Sequence, residues 1–177
     1  MSYLKFKDMK TPILSFFLSF SMLIGFAQEK TKQQIKEEKK TAKQKEIEAL
    51  VDSKEYEFQA ITAYPMGGRS IDMITNPNFL RFKKDSIDSA MPYFGRAYSG
   101  VAYSSGGGGL DFKGPIQDYS IKKGKKEYTI RAKVKGNADS YDILLSVFFE
   151  GTASLSISSN NRSSISYRGS IEKLKAK

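Results

Sequence analysis

Ser120, Lys122 and Lys123 fall in the order Ser-x-x-Lys, the spacing at which a lysine one helical turn on activates a serine for acyl transfer. That chemistry also requires Ser-Asp-Asn and Lys-Thr-Gly partners, and the chain has neither. The same spacing recurs at Ser2–Lys5 and Ser170–Lys173, and Tyr119–Lys122 reads as strand rather than helix, so the acyl-enzyme reading is rejected. Two carboxylate pairs, Asp85 with Asp88 and Asp139 with Asp142, have the types needed for metal or acid/base work. Each flanks a predicted turn, where aspartate is favoured because its side chain bonds the local backbone. The run Ser104–Gly109 resembles a phosphate loop in its glycines, but no Lys-Ser or Lys-Thr follows and Leu110-Asp111-Phe112 continues as strand, which leaves a flexible loop able to act as a lid. Asn161-Arg162-Ser163 fits a glycosylation sequon, although a hairpin turn already accounts for its asparagine.

The chain holds no cysteine and no histidine. Thiolate and disulfide chemistry are thereby excluded, and the usual general base near neutral pH, the usual zinc ligand and the usual partner of a nucleophilic serine are missing. No catalytic residue, metal ligand or cofactor is predicted, and the expectation is a protein that is not an enzyme.

The densest unusual stretch is Met91-Pro92-Tyr93-Phe94-Gly95-Arg96-Ala97-Tyr98. Three aromatics and one arginine suit a ligand mouth, with Tyr93, Phe94 and Tyr98 offering apolar walls and Arg96 pairing an anionic group. The competing reading is a structural corner, in which Pro92 and Gly95 bend the chain while the rings fill one end of the core.

The elements that must position these residues are strands. From Glu55 the apolar period becomes two: Tyr56, Phe58, Ala60, Thr62 and Tyr64 alternate with Glu57, Gln59, Ile61 and Ala63, until Pro65, Gly67 and Gly68 supply a turn. Toward the end, Tyr128 to Val134, Tyr141 to Phe149, Ala153 to Ile157 and Ile165 to Tyr167 form inward rows separated by turns at Gly136-Asn137, Glu150-Gly151 and Asn160-Asn161, a four-strand antiparallel meander. Weaker candidates at Ser70–Ile74, Asn78–Lys83, Ser86–Met91, Leu110–Phe112 and Tyr119–Lys122 bring the count to eight to ten strands. The fold class is mainly β: an antiparallel barrel of lipocalin-like type, or a sandwich, spanning residues 55–171 ahead of a basic tail at 172–177.

Residues 1–27 have the form of an export signal, with Lys5, Lys7 and Lys10 leading into an apolar run that ends in small residues at Gly25 and Ala27. Met9 is an alternative start. The apolar run is shorter than the roughly 20 residues a membrane span needs, so cleavage after Ala27 and no stable membrane span are expected. With no cysteine after the cut, lipid attachment there is excluded. Residues 28–54 are almost wholly Lys, Glu, Gln, Thr and Ala and read as a charged helix that only its second half can dock, serving either as a stalk or as a partly ordered leader. The net charge of +10 is spread along the chain, which for an exported protein favours solubility or contact with anionic envelope polymers over nucleic acid.

Met91–Tyr98, the glycine run with Gly109-Leu110-Asp111-Phe112, and Asn161-Arg162-Ser163-Ser164-Ile165-Ser166-Tyr167-Arg168-Gly169 together resemble a family of exported Gram-negative bacterial proteins catalogued as domain of unknown function 4251. The likeness covers roughly Glu55 to Ile171, with Met91 where a leucine is expected. It implies an exported periplasmic or secreted β domain and no established activity. Two functions stay open on the sequence: a non-catalytic barrel that binds a small apolar or amphipathic ligand near Tyr93, Phe94, Arg96 and Tyr98, or an envelope interaction protein that uses basic strand faces around Arg131, Lys133 and Lys135 or the charged helix.

Overall fold

A computed structural model describes residues 31–98, 108–136 and 139–174. The export signal at 1–27, most of the glycine run, Asn137 and the last three residues of the basic tail lie outside the described residues.

The charged segment forms helix α1 (Lys32–Ser53). Thr31 starts it with a reciprocal cap: its hydroxyl accepts from the Gln34 amide, and the Gln34 side chain accepts from the Thr31 amide. Lys54, in the left-handed region at φ 55°, turns the chain out of the helix.

Among the described residues nine strands follow: β1 (Glu55–Pro65), β2 (Ile71–Asp72), β3 (Phe79–Lys83), β4 (Ser86–Met91), β5 (Leu110–Lys123), β6 (Glu127–Lys135), β7 (Ser140–Phe148), β8 (Thr152–Ser159) and β9 (Ile165–Lys173). All pairings are antiparallel, and β1 pairs with β3 on one side and β9 on the other, so eight strands close into a barrel. Among the described residues only β2 stands outside the ring, paired to β1 at Thr62↔Asp72 and Ala63↔Ile71. Closure follows from the sequence pattern: a meander with one apolar face leaves two unpaired edges, and joining them satisfies both.

The interior is filled by the inward rows, among them Tyr56, Phe58, Phe82, Ile130, Leu145, Leu155 and Tyr167. Tyr56 stacks on Phe82 at 4.6 Å, and Phe112 stacks on Tyr141 at 3.9 Å. The outward rows carry Arg131, Lys133, Asp142, Ser154, Ser156 and Arg168. An apolar lumen inside a polar exterior is the reverse of a membrane-spanning barrel. Among the described residues no helix is long and apolar enough to cross a membrane.

Two expectations are corrected. The alternation predicted for β1 holds from Tyr56 to Ala60 and then changes phase, so that Ala63 is buried while Tyr64 is 44% exposed. A bulge between Ala60 and Thr62 in the β1–β9 pairing inserts one residue, and every later side chain moves to the opposite face. Asn78 stabilises the bulge from the side, accepting from the Ala60 amide at 2.6 Å and donating to the Ala60 carbonyl at 3.1 Å. Across the barrel, Leu110–Phe112 and Tyr119–Lys122, read as separate strands, are the two ends of β5. A second bulge, between Ile116 and Asp118, breaks their period.

Residues Lys39–Ser53 of α1 pack across one end of the barrel. Ile47 and Val51 are fully buried, Leu50 packs against the core, and Glu48 pairs with Lys123 at the end of β5. The Tyr56 hydroxyl makes no hydrogen bond to any described residue, and burial raises its pKa well above the ordinary phenol value.

Candidate ligand-binding cleft

At the other end, Pro92 stops β4 because it has no amide to continue the ladder, and the chain folds down onto the β8–β9 turn. The Tyr98 amide donates to the Asn161 carbonyl at 2.8 Å, the Ser163 amide donates to the Arg96 carbonyl at 3.0 Å, and Ala97 bridges to Arg162. Side chains reinforce this clamp. The Arg96 amide donates to Ser163 Oγ at 3.1 Å, Ser163 Oγ lies 2.8 Å from the Tyr93 hydroxyl, and that hydroxyl has the Arg96 and Ser163 carbonyls within reach at 2.9 and 3.1 Å. Tyr167 donates from inside the barrel to the Pro92 carbonyl at 2.7 Å. Gly95 completes the clamp by lacking a side chain, since a Cβ there would fall into the Tyr93 ring and 2.7 Å from Ser163 Oγ.

The four residues singled out from the sequence therefore occupy one corner with different surroundings. Tyr93 is held by its hydroxyl and has one ring face beneath the Arg162 guanidinium at 5.1 Å. Phe94 packs against the core. Arg96 is exposed, with its backbone tied to Ser163, and Tyr98 is 65% exposed beyond its bond to Asn161. Of these, Tyr93 lines a cleft.

That cleft, of about 330 Å³, lies between the end of β4 and the start of β5, with Pro77, Ala90, Met91, Pro92 and Tyr93 on one side and Gly108, Gly109 and Asp111 on the other. Arg162 ties its far wall, donating to the Gly108 and Gly109 carbonyls at 3.0 and 2.7 Å. Asp111 is an exposed residue whose carboxyl is partly screened where it nears Gly109; burial raises its pKa, and the Arg162 charge draws it partway back. The site is thus a cleft of mixed polarity, with one carboxyl of reduced acidity on its rim. Sequence reasoning did not single out Ala90, Asp111 or Arg162 as site residues. Asp111 and Arg162 stood out only within a strand, a turn sequon and the motifs of the family resemblance.

A larger groove of about 520 Å³ crosses the outer face of β5 to β8, lined by Asp118, Arg131, Lys133, Asp142, Leu144, Ser156 and Ser158 among others. Lys133 lies 3.5 Å from Asp142. Within the groove two cations face two carboxylates, and Lys135, the third cation of the strand face named from the sequence, lies outside it and is exposed. The remaining carboxylate pairs serve the fold: Asp88 accepts from Lys83 at 2.9 Å, and Asp139 caps the Ser140 amide at 2.8 Å. Among the described residues no group of three or more acidic side chains is placed to hold a metal.

A family model described as a domain of unknown function (DUF4251) matches residues 38–171. Among solved structures, the crystal structure of a DUF4251 family protein from Bacteroides eggerthii is similar at 18% identity, covering 75% of this chain and 88% of that one, with a TM-score of 0.58. At that identity the likeness is one of fold. Comparison with curated proteins gave no match.

Proposed function

The chain belongs to the DUF4251 family, and from that premise we propose an exported, non-catalytic binding module that holds a small apolar or amphipathic molecule at the barrel end remote from the packed part of α1. The observation that carries this reading is the cleft beside Tyr93, whose 330 Å³ falls within the range of small-molecule sites. Its chemistry defines the ligand. An apolar body would lie against Pro77, Ala90, Pro92 and the Tyr93 ring, and a hydrogen-bond donor would reach Asp111. The hydrogen-bond clamp supports the same reading, because a site whose walls are fixed beforehand loses less entropy on binding. In this reading Arg96 and Tyr98 stand outside the binding surface and Phe94 supports it from the core.

The sequence expectation placed the ligand inside the barrel, whereas large side chains occupy the interior and the rim cleft takes its place. Native mass spectrometry of the chain purified from its own host tests the proposal. A discrete additional mass is expected on the wild-type chain and should be lost in Ala90→Trp, which fills the cleft. A bare polypeptide mass in every preparation, or an adduct unaffected by Ala90→Trp, would rule it out.

A further inference from the structure

The turn between β5 and β6 carries Lys122, Lys123, Lys125 and Lys126 around Gly124, and all of them are exposed. The Gly124 amide closes the turn on the Glu127 carbonyl at 2.7 Å, and the Phe149 amide anchors the Lys126 carbonyl at 3.2 Å, so the hairpin has a fixed backbone. Lys123 is matched by Glu48. Lys122, Lys125 and Lys126 make no ion pair with any described residue. Ile121 pairs with the buried Ile130, so the strand face that carries Lys122 is the outer one.

We propose that this hairpin tip is a peripheral docking surface for a bilayer of anionic phospholipid. The contrast with the β5–β8 groove locates it: there Lys133 is paired with Asp142, whereas here three ammonium groups have no ion-pair partner among the described residues. Lysines are compact, strongly hydrated point charges suited to diffuse attraction by many headgroups rather than to forked recognition of one anion. The tip is a convex turn, and the hydroxyl-lined groove able to follow a sugar chain lies elsewhere, between Arg131 and Ser158. The surface is independent of the ligand cleft, which lies at the β4–β5 connection.

Co-sedimentation of the exported chain with phosphatidylcholine vesicles, with and without phosphatidylglycerol, reads this directly. Each lysine near an anionic surface contributes about fivefold to partitioning, so K122Q/K125Q/K126Q should weaken binding to the anionic vesicles on the order of a hundredfold. Salt should weaken the wild type toward the same level as the screening length shortens. R131Q/K133Q/K135Q removes the same formal charge from the strand face and should stay within about threefold of wild type, since charges held away from the headgroups are screened. Thermal melts of both variants establish that they fold, and the salt series on the wild type reads the electrostatics without any substitution. Equal losses in the two variants, binding indifferent to phosphatidylglycerol, or capture by a soluble anionic polysaccharide without vesicle binding would each overturn the proposal.

Discussion

Replacing Tyr93 by phenylalanine separates its two roles, one in the corner and one in the cleft. The substitution keeps the ring, and with it the apolar wall and the Arg162 contact, and deletes only the hydroxyl. That hydroxyl is the middle of a relay: the Arg96 amide donates to Ser163 Oγ, Ser163 Oγ donates to Tyr93, and Tyr93 passes its own proton to the Arg96 or Ser163 carbonyl. Without it one bond donated to a carbonyl disappears and the part-buried Ser163 hydroxyl loses its acceptor. A net hydrogen bond together with a partly unsatisfied group costs about 1–2 kcal/mol. For a domain of this size that corresponds to a fall in Tm of roughly 4–8 °C. Circular dichroism melts give the global value, and amide exchange at Ser163 and Tyr98 gives the local one, both amides becoming less protected. Ligand affinity should change less than threefold because the wall remains. An unchanged Tm with undiminished protection at Ser163 would refute the clamp, and a large loss of ligand with normal stability would show that the hydroxyl contacts the ligand directly.

Gly169→Ala should be the most damaging single methyl in the barrel, because its Cβ would overlap the Gln59 carbonyl oxygen and lie 2.9 Å from Ala60 Cα at the β1–β9 closure. Forcing those strands apart costs about 3–5 kcal/mol from overpacking and lost ladder bonds, readable in urea unfolding, whereas Gly108→Ala, with open space around it, should be nearly silent. Ile47→Ala should destabilise by about 2–4 kcal/mol, as expected for a buried isoleucine, and an effect below about 0.5 kcal/mol would mean that the helix does not pack on the barrel in solution. Asp111→Asn tests the titration argument. Burial raises the folded-state pKa of Asp111 above its ordinary 3.8, so its favourable contribution is complete below that value and is lost as pH rises through the folded pKa. The asparagine variant should therefore be more stable than wild type at pH 7 and converge with it toward pH 3, while a difference independent of pH would contradict the raised pKa.

The strands most legible in the sequence are those with uninterrupted alternation, from Tyr128 to Tyr167, where each residue's face follows from its neighbour's. Legibility fails where one inserted residue shifts the phase. Nothing in Ala60-Ile61-Thr62 announces a bulge; its causes, Gly169 and Asn78, are remote in sequence and act by removing a side chain and by supplying a surrogate strand partner. The aromatic corner was legible as a composition, and its Pro92 and Gly95 as a bend. The partner of that bend was not, since Ser163 and Arg162 lie about seventy residues away and reach it only through barrel closure. The acidic neighbours of Arg131 and Lys133 were not legible for a similar reason: Asp118 and Asp142 lie on the neighbouring strands and share their groove only once the strands pair.

Amide chemical-shift mapping of the isotope-labelled chain, titrated with the small-molecule fraction of its host's envelope, tests the binding proposal most directly. The account predicts saturable shifts confined to Ala90, Met91, Tyr93, Gly108, Gly109 and Asp111, abolished by Ala90→Trp. Shifts centred on Arg131, Leu144 and Ser156 instead, or no saturable shifts at all, would contradict it.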